Sequence, residues 1–317
     1  IFASGAIDLS ANGTEVDGKD FWLTFMPNWH NHFYDSNDYK KYGDSLYIII
    51  SSRVPTKGKI EYTDRFGKQH SSNFEITDPE ELYIFSVSYY NFDLRGYNNS
   101  GVTDAGGGQG ESIAPQAFHV TSEDDIRVIA HTQAVWTSDA FLIYPTHVLG
   151  KKHFIMTYNS DGSSLSSSQT PSQLAVVAVE NNTEVTINPS TPTKVNGSGQ
   201  QNVTLDKGEV YLVQAQIDIQ NRFSDLTGSE VKANKPIAVF AGHQRATIPY
   251  NTIEDVPSRD CLMSQMPPLQ SWQRNAILTP FYQPGDMTRY NSDLFRMLAG
   301  YDNTKLYVDG NYCMTLD

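Results

Sequence analysis

Cysteine is nearly missing: 317 residues carry only Cys261 and Cys313. Two thiols cannot build the disulfide framework that staples small secreted domains, and a zinc site cannot rest on them alone. They could still form one disulfide with each other. Basic runs are missing too. Lys and Arg number 23 against 36 Asp and Glu, a formal net charge of −13. Without clustered cations nothing displaces counterions from phosphate, which argues against nucleic acid and against anionic membrane surfaces. No apolar run approaches the ~20 residues of a membrane span. Helical spacing of apolar residues never lasts beyond two turns. No GxSxG elbow exists to expose a nucleophile. The glycine-rich AGGGQGE at Ala105–Glu111 does not pass from strand to helix as a phosphate cradle must, so it is a loop.

What is present suits β-structure outside the cell. A hydrophobic fraction of 39% can bury a core, while 12% aromatic and 19% charged residues fit a β-rich extracellular protein. The acidic balance keeps such a protein soluble. The opening IFASGAIDLS has no initiator Met and resembles the start of a mature secreted chain, with residues 1–17 an N-terminal extension. Sequons at Asn12, Asn98, Asn181, Asn196 and Asn202 fall in expected turns or strand edges.

The apolar segments are short, rich in Val, Ile, Tyr and Phe, and separated by turn residues. They also recur. SLYIIISSRVPTKGKIEYT from Ser45, followed by FEITDPEELYIFSV, has the layout of QLAVVAVENNTEVTINP from Gln173, followed by NVTLDKGEVYLVQ. A further copy opens at Asp293 with DLFRMLAGYDNTKLYVDG. A second module alternates with the first: HVTSEDDIRVIAHTQ from His119 matches EVKANKPIAVFAGHQ from Glu230. A spacing of roughly 120–130 residues marks a repeat architecture. The expected domain is 18–317, with repeats at about 45–158 and 173–281 and a partial third from 293. The strands group into antiparallel fours. TDPEEL near Thr77 and its copy LDKGEV read as hairpin turns, with Gly208 at positive φ.

Repeated four-stranded antiparallel units make the chain all-β, and two architectures fit: a β-propeller or tandem β-sandwiches. FWLTFMP at Phe21–Pro27 resembles HFIMTY and AILTPF, the closing strands of later units. A lone closing strand at the N-terminus is what ring closure needs, which favours the propeller. Longer loops are expected at Asn28–Asp44, Tyr89–Pro115, Asn159–Ser172 and Ile248–Gln273, and loops on a rigid frame carry function.

Several constellations could carry chemistry. His30 and His32 sit two residues apart in WHNHF and could share a metal, with Asp35 and Asp38 nearby; a polar aromatic loop is the favoured reading, and no metal site is expected there. Asn159, Asp161 and Ser163 have the early rhythm of a calcium loop, but no Glu follows at the required place. His131 and His243 occupy matching positions in the second module, which points to a shared structural hydrogen bond. Exposed aromatics have more promise. Trp29, Phe33, Tyr34, Tyr39 and Tyr42 crowd the first long loop; Tyr89, Tyr90, Phe92 and Tyr97 crowd the second. Such side chains offer rigid contact area with a polar tip, unless they pack under their own loops.

Three stretches together resemble the N-terminal domain family of IgG Fc-binding protein, in a bacterial-type member: IRVIAHTQAVWTSDAFLIYPTHVLG at Ile126–Gly150, ENNTEVTI at Glu180–Ile187 and DLTGSEVKANKPIAVFAGH at Asp225–His243. The run DCLMSQMPPLQSW at Asp260–Trp272 is the most specific match. The resemblance implies a secreted or surface-attached recognition module without enzymatic activity, found in large adhesive proteins. One departure concerns cysteine. Arg245 stands where the family usually has a cysteine, so Cys261 either pairs with Cys313 or is free.

The expectation is therefore an extracellular or cell-surface adhesion domain without a cofactor. It binds a glycoprotein, mucin, immunoglobulin-like protein or glycan through Trp29, His30, His32, Tyr34, Tyr39, Tyr89, Tyr90 and Tyr97. Two alternatives stand beside it: an accessory subunit of a cell-surface assembly, meeting partner subunits through the same loops, and a glycan hydrolase using His30, Asp35 and Asp38.

Overall fold

β-Branched and aromatic residues in short alternating runs pair into sheets, and the computed structural model shows how they pair. It describes residues 16–28, 45–94, 111–134, 137–162, 170–248, 259–278 and 295–316. The protein is all-β, as expected. Its first sheet contains β1 (Gly18–Leu23), β2 (Ser45–Ser52), β3 (Thr56–Thr63), β4 (Gln69–Ile76), β5 (Tyr83–Val87), β7 (Phe118–Gln133) and β8 (Ser138–Ile143). The second contains β6 (Ile113–Ala114), β9 (Gly150–Phe154), β10 (Ser172–Ala178), β11 (Thr183–Asn188), β12 (Gln201–Leu205), β13 (Val210–Gln214), β14 (Glu230–Ala246) and β15 (Asp260–Gln265). A separate hairpin of β16 (Thr304–Val308) and β17 (Asn311–Leu316) follows. Among the described residues a short α-helix, α1, spans Tyr89–Phe92.

Each sheet is organised around one long strand. The first half of β7 pairs with β1 and β3, and its second half with β2 and β8. In the same way β14 pairs first with β9 and β11, then with β10 and β15. The two modules recognised in the sequence thus interleave: the long strand of the second inserts between strands of the first. The strands of Leu46–Val87 share one sheet and those of Leu174–Gln214 share the other. The opening strand FWL pairs with β7 and so belongs to the first sheet. Its relative in HFIMTY opens the second sheet instead of closing the first, because β9 pairs with β14.

The turn after β12 shows that the sheets curl. Glu209 N donates to Asp206 O at 2.9 Å, and Gly208 has φ +85. A β-turn of this kind keeps its ends within about 7 Å. Yet β12 and β13 stand four strand spacings apart in the sheet order, about 19 Å if the sheet were flat. Both LDKGEV and TDPEEL are therefore turns, as expected, but they join opposite edges of a curled sheet and close no hairpin. Curling gathers the even-numbered residues of β7 (Phe118, Val120, Ile126, Val128, Ala130) onto one core.

That core extends into the second sheet. Ala175, Val177, Leu212, Ala238 and Phe240 pack into it, while their neighbours Leu174, Val176, Val213, Ile237 and Val239 face a second core. Strand β10 is accordingly buried at all seven positions, whereas β2 alternates between half-buried and buried. β6, which precedes β7 in the chain, pairs with β13 and stitches the sheets together further.

Candidate functional site

The described chain enters and leaves most of its undescribed segments at one hydrogen-bonded region. Phe25 bridges Asp93, and Leu94 N donates to Phe25 O at 2.7 Å. The chain leading to Asn28 and the chain leading to Leu94, the last described residues before segments 29–44 and 95–110, are thereby joined at Phe25. Asn28 Nδ2 also reaches Thr137 O at 3.4 Å and the Cys261 thiol at 3.3 Å. Asp139 and Asp260 clasp the two sheets reciprocally: Ser138 N donates to Asp260 at 2.7 Å, and Met263 N donates to Asp139 at 2.7 Å.

The network continues through buried charge. Arg259 meets the Asp161 carboxylate at 2.5 Å, joining the end of segment 249–258 to the start of 163–169. Thr170, where the chain resumes, donates to Arg245 O at 2.7 Å. Burial, followed by the neighbouring Arg259, lowers the Arg245 pKa, and Asp161 opposes the shift. Arg296, just beyond segment 279–294, donates to Asp225 at 2.9 Å. Burial would raise Asp225, but donation from Thr157, Thr227 and Arg296 outweighs it and holds the carboxyl below its usual range.

His243 lies at the centre, completely buried. Arg245 N donates to its Nδ1 at 2.9 Å, so Nε2 carries the proton and donates to Asn159 O at 3.0 Å. Burial pushes its pKa down to about 4, leaving the ring neutral. A row of glutamines flanks it on the face toward the first sheet. Gln173 donates to Pro27 O at 2.9 Å, and Gln214 donates to Gln173 at 3.1 Å. The side-chain amide of the fully buried Gln244 has no hydrogen-bond partner among the described residues. Chemically, this arrangement fixes the points from which chain segments depart. Its histidine is committed to the backbone.

A second polar cluster lies away from this end. His119 stacks on Trp22 at 4.0 Å and meets Asp20 at 2.8 Å; Thr146 also donates to Asp20. Burial would raise the Asp20 pKa, but the hydrogen bonds from His119 and Thr146 prevail and hold it down. The adjoining cleft of about 620 Å³ is lined by Asp17, Lys19, Asp20, Trp22, His147 and Lys207, among others. Asp17 is already paired with Arg53 and Arg127.

Trp29, His30, His32, Tyr34, Asp35, Asp38, Tyr39 and Tyr97 lie outside the described residues, as does the Tyr90 side chain. What the structure brings together is the roots of the two aromatic segments. Tyr89 is a correction: it is fully buried in the core and cannot serve as a surface contact. The calcium-loop pattern also fails at Asp161, whose carboxylate is engaged by Arg259; Ser163 lies outside the described residues. Cys261 and Cys313 do not pair: Cys261 is buried in β15 and Cys313 is exposed on the C-terminal hairpin. His131 and His243 are not equivalent either. His131 is half-buried, stacked on Tyr47 at 5.5 Å, on the opposite face of β7 from Val128 and Ala130. The described sequons Asn181, Asn196 and Asn202 are exposed. Sequence reasoning missed the residues Asp161, Asp225, Arg245, Arg259 and Arg296 as a group. They are far apart in the chain, and only their position beside long segments could have suggested them.

The family model described as IgGFc binding protein matches residues 139–317. No curated protein matches the chain.

Proposed function

The chain belongs to the IgGFc binding protein family, and from that premise we propose a non-catalytic, extracellular recognition module built on two copies of one sheet unit. It holds a glycoprotein or glycan ligand at the end of the frame where Asn28, Leu94, Thr137, Arg259 and Arg296 are rooted. The supporting observation is this convergence. Segments that carry Trp29, Tyr34, Tyr39 and Tyr97 depart from one region stiffened by partly buried ion pairs. Preorganised departure points lower the entropy lost when aromatic side chains close on a partner. Aromatic residues dominate the energetics of such contacts.

The non-catalytic reading is supported by the two fully buried histidines. His243 and His153 are hydrogen-bonded to backbone carbonyls and closed off from solvent. No helix among the described residues is long and apolar enough to cross a membrane. Display at the cell surface or secretion is part of the proposal, and so is the ligand class; immunoglobulin Fc is the partner the family's description names.

The test is a mucin, glycan and immunoglobulin array probed with the parent chain and with Trp29→Ala and Tyr34→Ala. Specific signal that falls at least tenfold in either variant, at unchanged melting temperature, supports the proposal. Equal binding by both variants moves the site elsewhere on the molecule. Turnover of an arrayed glycan that Asp35→Asn abolishes would replace recognition with hydrolysis.

A further inference from the structure

The cleft beside Asp20 is built by both sheet units. The first supplies Asp17, Lys19, Asp20 and Trp22 around β1, together with Asp125 from the middle of β7. The second supplies Val179, just past β10, and Lys207, in the turn between β12 and β13. That turn rests on the indole, since a Cβ at Gly208 would lie 3.5 Å from the Trp22 ring. β10 starts beside Pro27, whose carbonyl accepts from Gln173, and ends at Ala178 next to the cleft. Its length is about 23 Å at the usual strand rise. The cleft therefore lies at the opposite end of the frame from the loop roots.

Nearly buried groups form the floor: Trp22 is 7% and Val179 6% exposed. The rim is polar, and its groups are of two kinds. Asp17 already holds Arg53 and Arg127, Asp20 holds His119 and Thr146, and Lys19 donates to Glu123 O at 2.6 Å. A carboxylate accepts at more sites than these, and an ammonium has further protons to donate. The Asp125 carboxylate and the Lys207 ammonium are exposed and make no hydrogen bond among the described residues. Lys207 instead lies over the Trp22 ring, 5.3 Å from its centre, on a stem that can swing aside.

Carboxylates and ammonium groups thus share the rim above an indole. A ligand of single charge would meet groups of its own sign there. A zwitterionic amino acid would satisfy one pair and leave the floor unused. What fits is a neutral ring whose edge both donates and accepts hydrogen bonds and whose C–H face is apolar. We propose that the cleft is a saccharide-binding site for a neutral mono- or disaccharide. Hydroxyls donate to Asp125 and Asp20 and accept from Lys207 and Lys19, while the sugar ring packs on Trp22 and Val179. Its volume of about 620 Å³ lies within the about 300–1,000 Å³ of small-ligand sites. The site is separate from the ligand held at the loop-bearing end, so either proposal can fail alone.

The full chain is titrated by calorimetry and saturation-transfer NMR with galactose, mannose, N-acetylglucosamine, lactose and cellobiose. At least one sugar is expected to saturate at millimolar concentration. Its affinity falls at least tenfold in Asp125→Ala and in Lys207→Ala, at unchanged melting temperature because both side chains are exposed. Raising salt from about 0.05 to about 0.5 M leaves the affinity within twofold, since screening weakens contacts between charges and spares a neutral ligand. The proposal is overturned if none of these sugars saturates or if both rim variants bind as the parent does. Saturation by glycine or lysine in place of the sugars overturns it as well. Sugar binding that Trp29→Ala removes belongs to the loop-bearing end and also overturns it.

Discussion

The buried histidines show how single residues tie stability to pH. His243 and His153 both have pKa values pushed down to about 4, chiefly by burial. Unfolding returns them to about 6.5, so the unfolded chain binds protons more tightly between those values. Their stabilisation is complete above pH ~6.5 and is lost as pH falls toward 4, up to about 3 kcal/mol for each residue. Urea midpoints measured from pH 7 to 4.5 should fall steadily. His243→Gln, which keeps a donor toward Asn159, should flatten that slope, and an unchanged slope would assign it to carboxylates. The sequence aligned His131 with His243, yet the structure buries one and half-exposes the other. An offset of one residue turns a strand side chain to the opposite face, and His243 sits one position further along its module than His131 does. Tyr89 carries the same lesson: aromatic crowding in sequence does not tell a binding tip from a plug under its own loop.

Among the elements, β14 has the tightest constraints. A Cβ at Gly242 would lie 1.8 Å from Leu262 O, in the strand paired beside it. Gly242→Ala should therefore force β14 and β15 apart and cost at least about 2 kcal/mol, in the upper range for overpacking. Thermal unfolding followed by circular dichroism gives the readout, and a melting temperature within a degree of the parent would contradict the close approach. Strands and turns were largely legible: LYIII, KIEYT, LAVVA and IAVFA all became strands, and Gly208 took its positive φ. Pairing was not. SLYIIISS and QLAVVAV look alike as apolar runs, but β2 buries one face and β10 both. A continuous small-residue run such as LAVVAV is the signal of double burial, and its meaning depends on what lies on the far side.

At the scale of the molecule, the shared core decides how the protein unfolds. Phe240 belongs to the second sheet but lies in the core of the first, edge-on to Phe141 at 6.1 Å. Phe240→Ala should cost about 3–5 kcal/mol and leave one cooperative transition, since neither sheet can release its face alone. Calorimetry resolving two transitions in the parent would show that the units fold separately. Composition and patterning by themselves determined that this chain is β-structure and where most of its strands and turns fall. Those properties are local, set by side-chain type and spacing along a few residues. Only the tertiary structure decided that the modules interleave, that the cysteines stay apart, and that Asp161 and Asp225 meet Arg259 and Arg296. Such contacts join positions tens of residues apart through the curl of a sheet, and no short-range pattern encodes that curl.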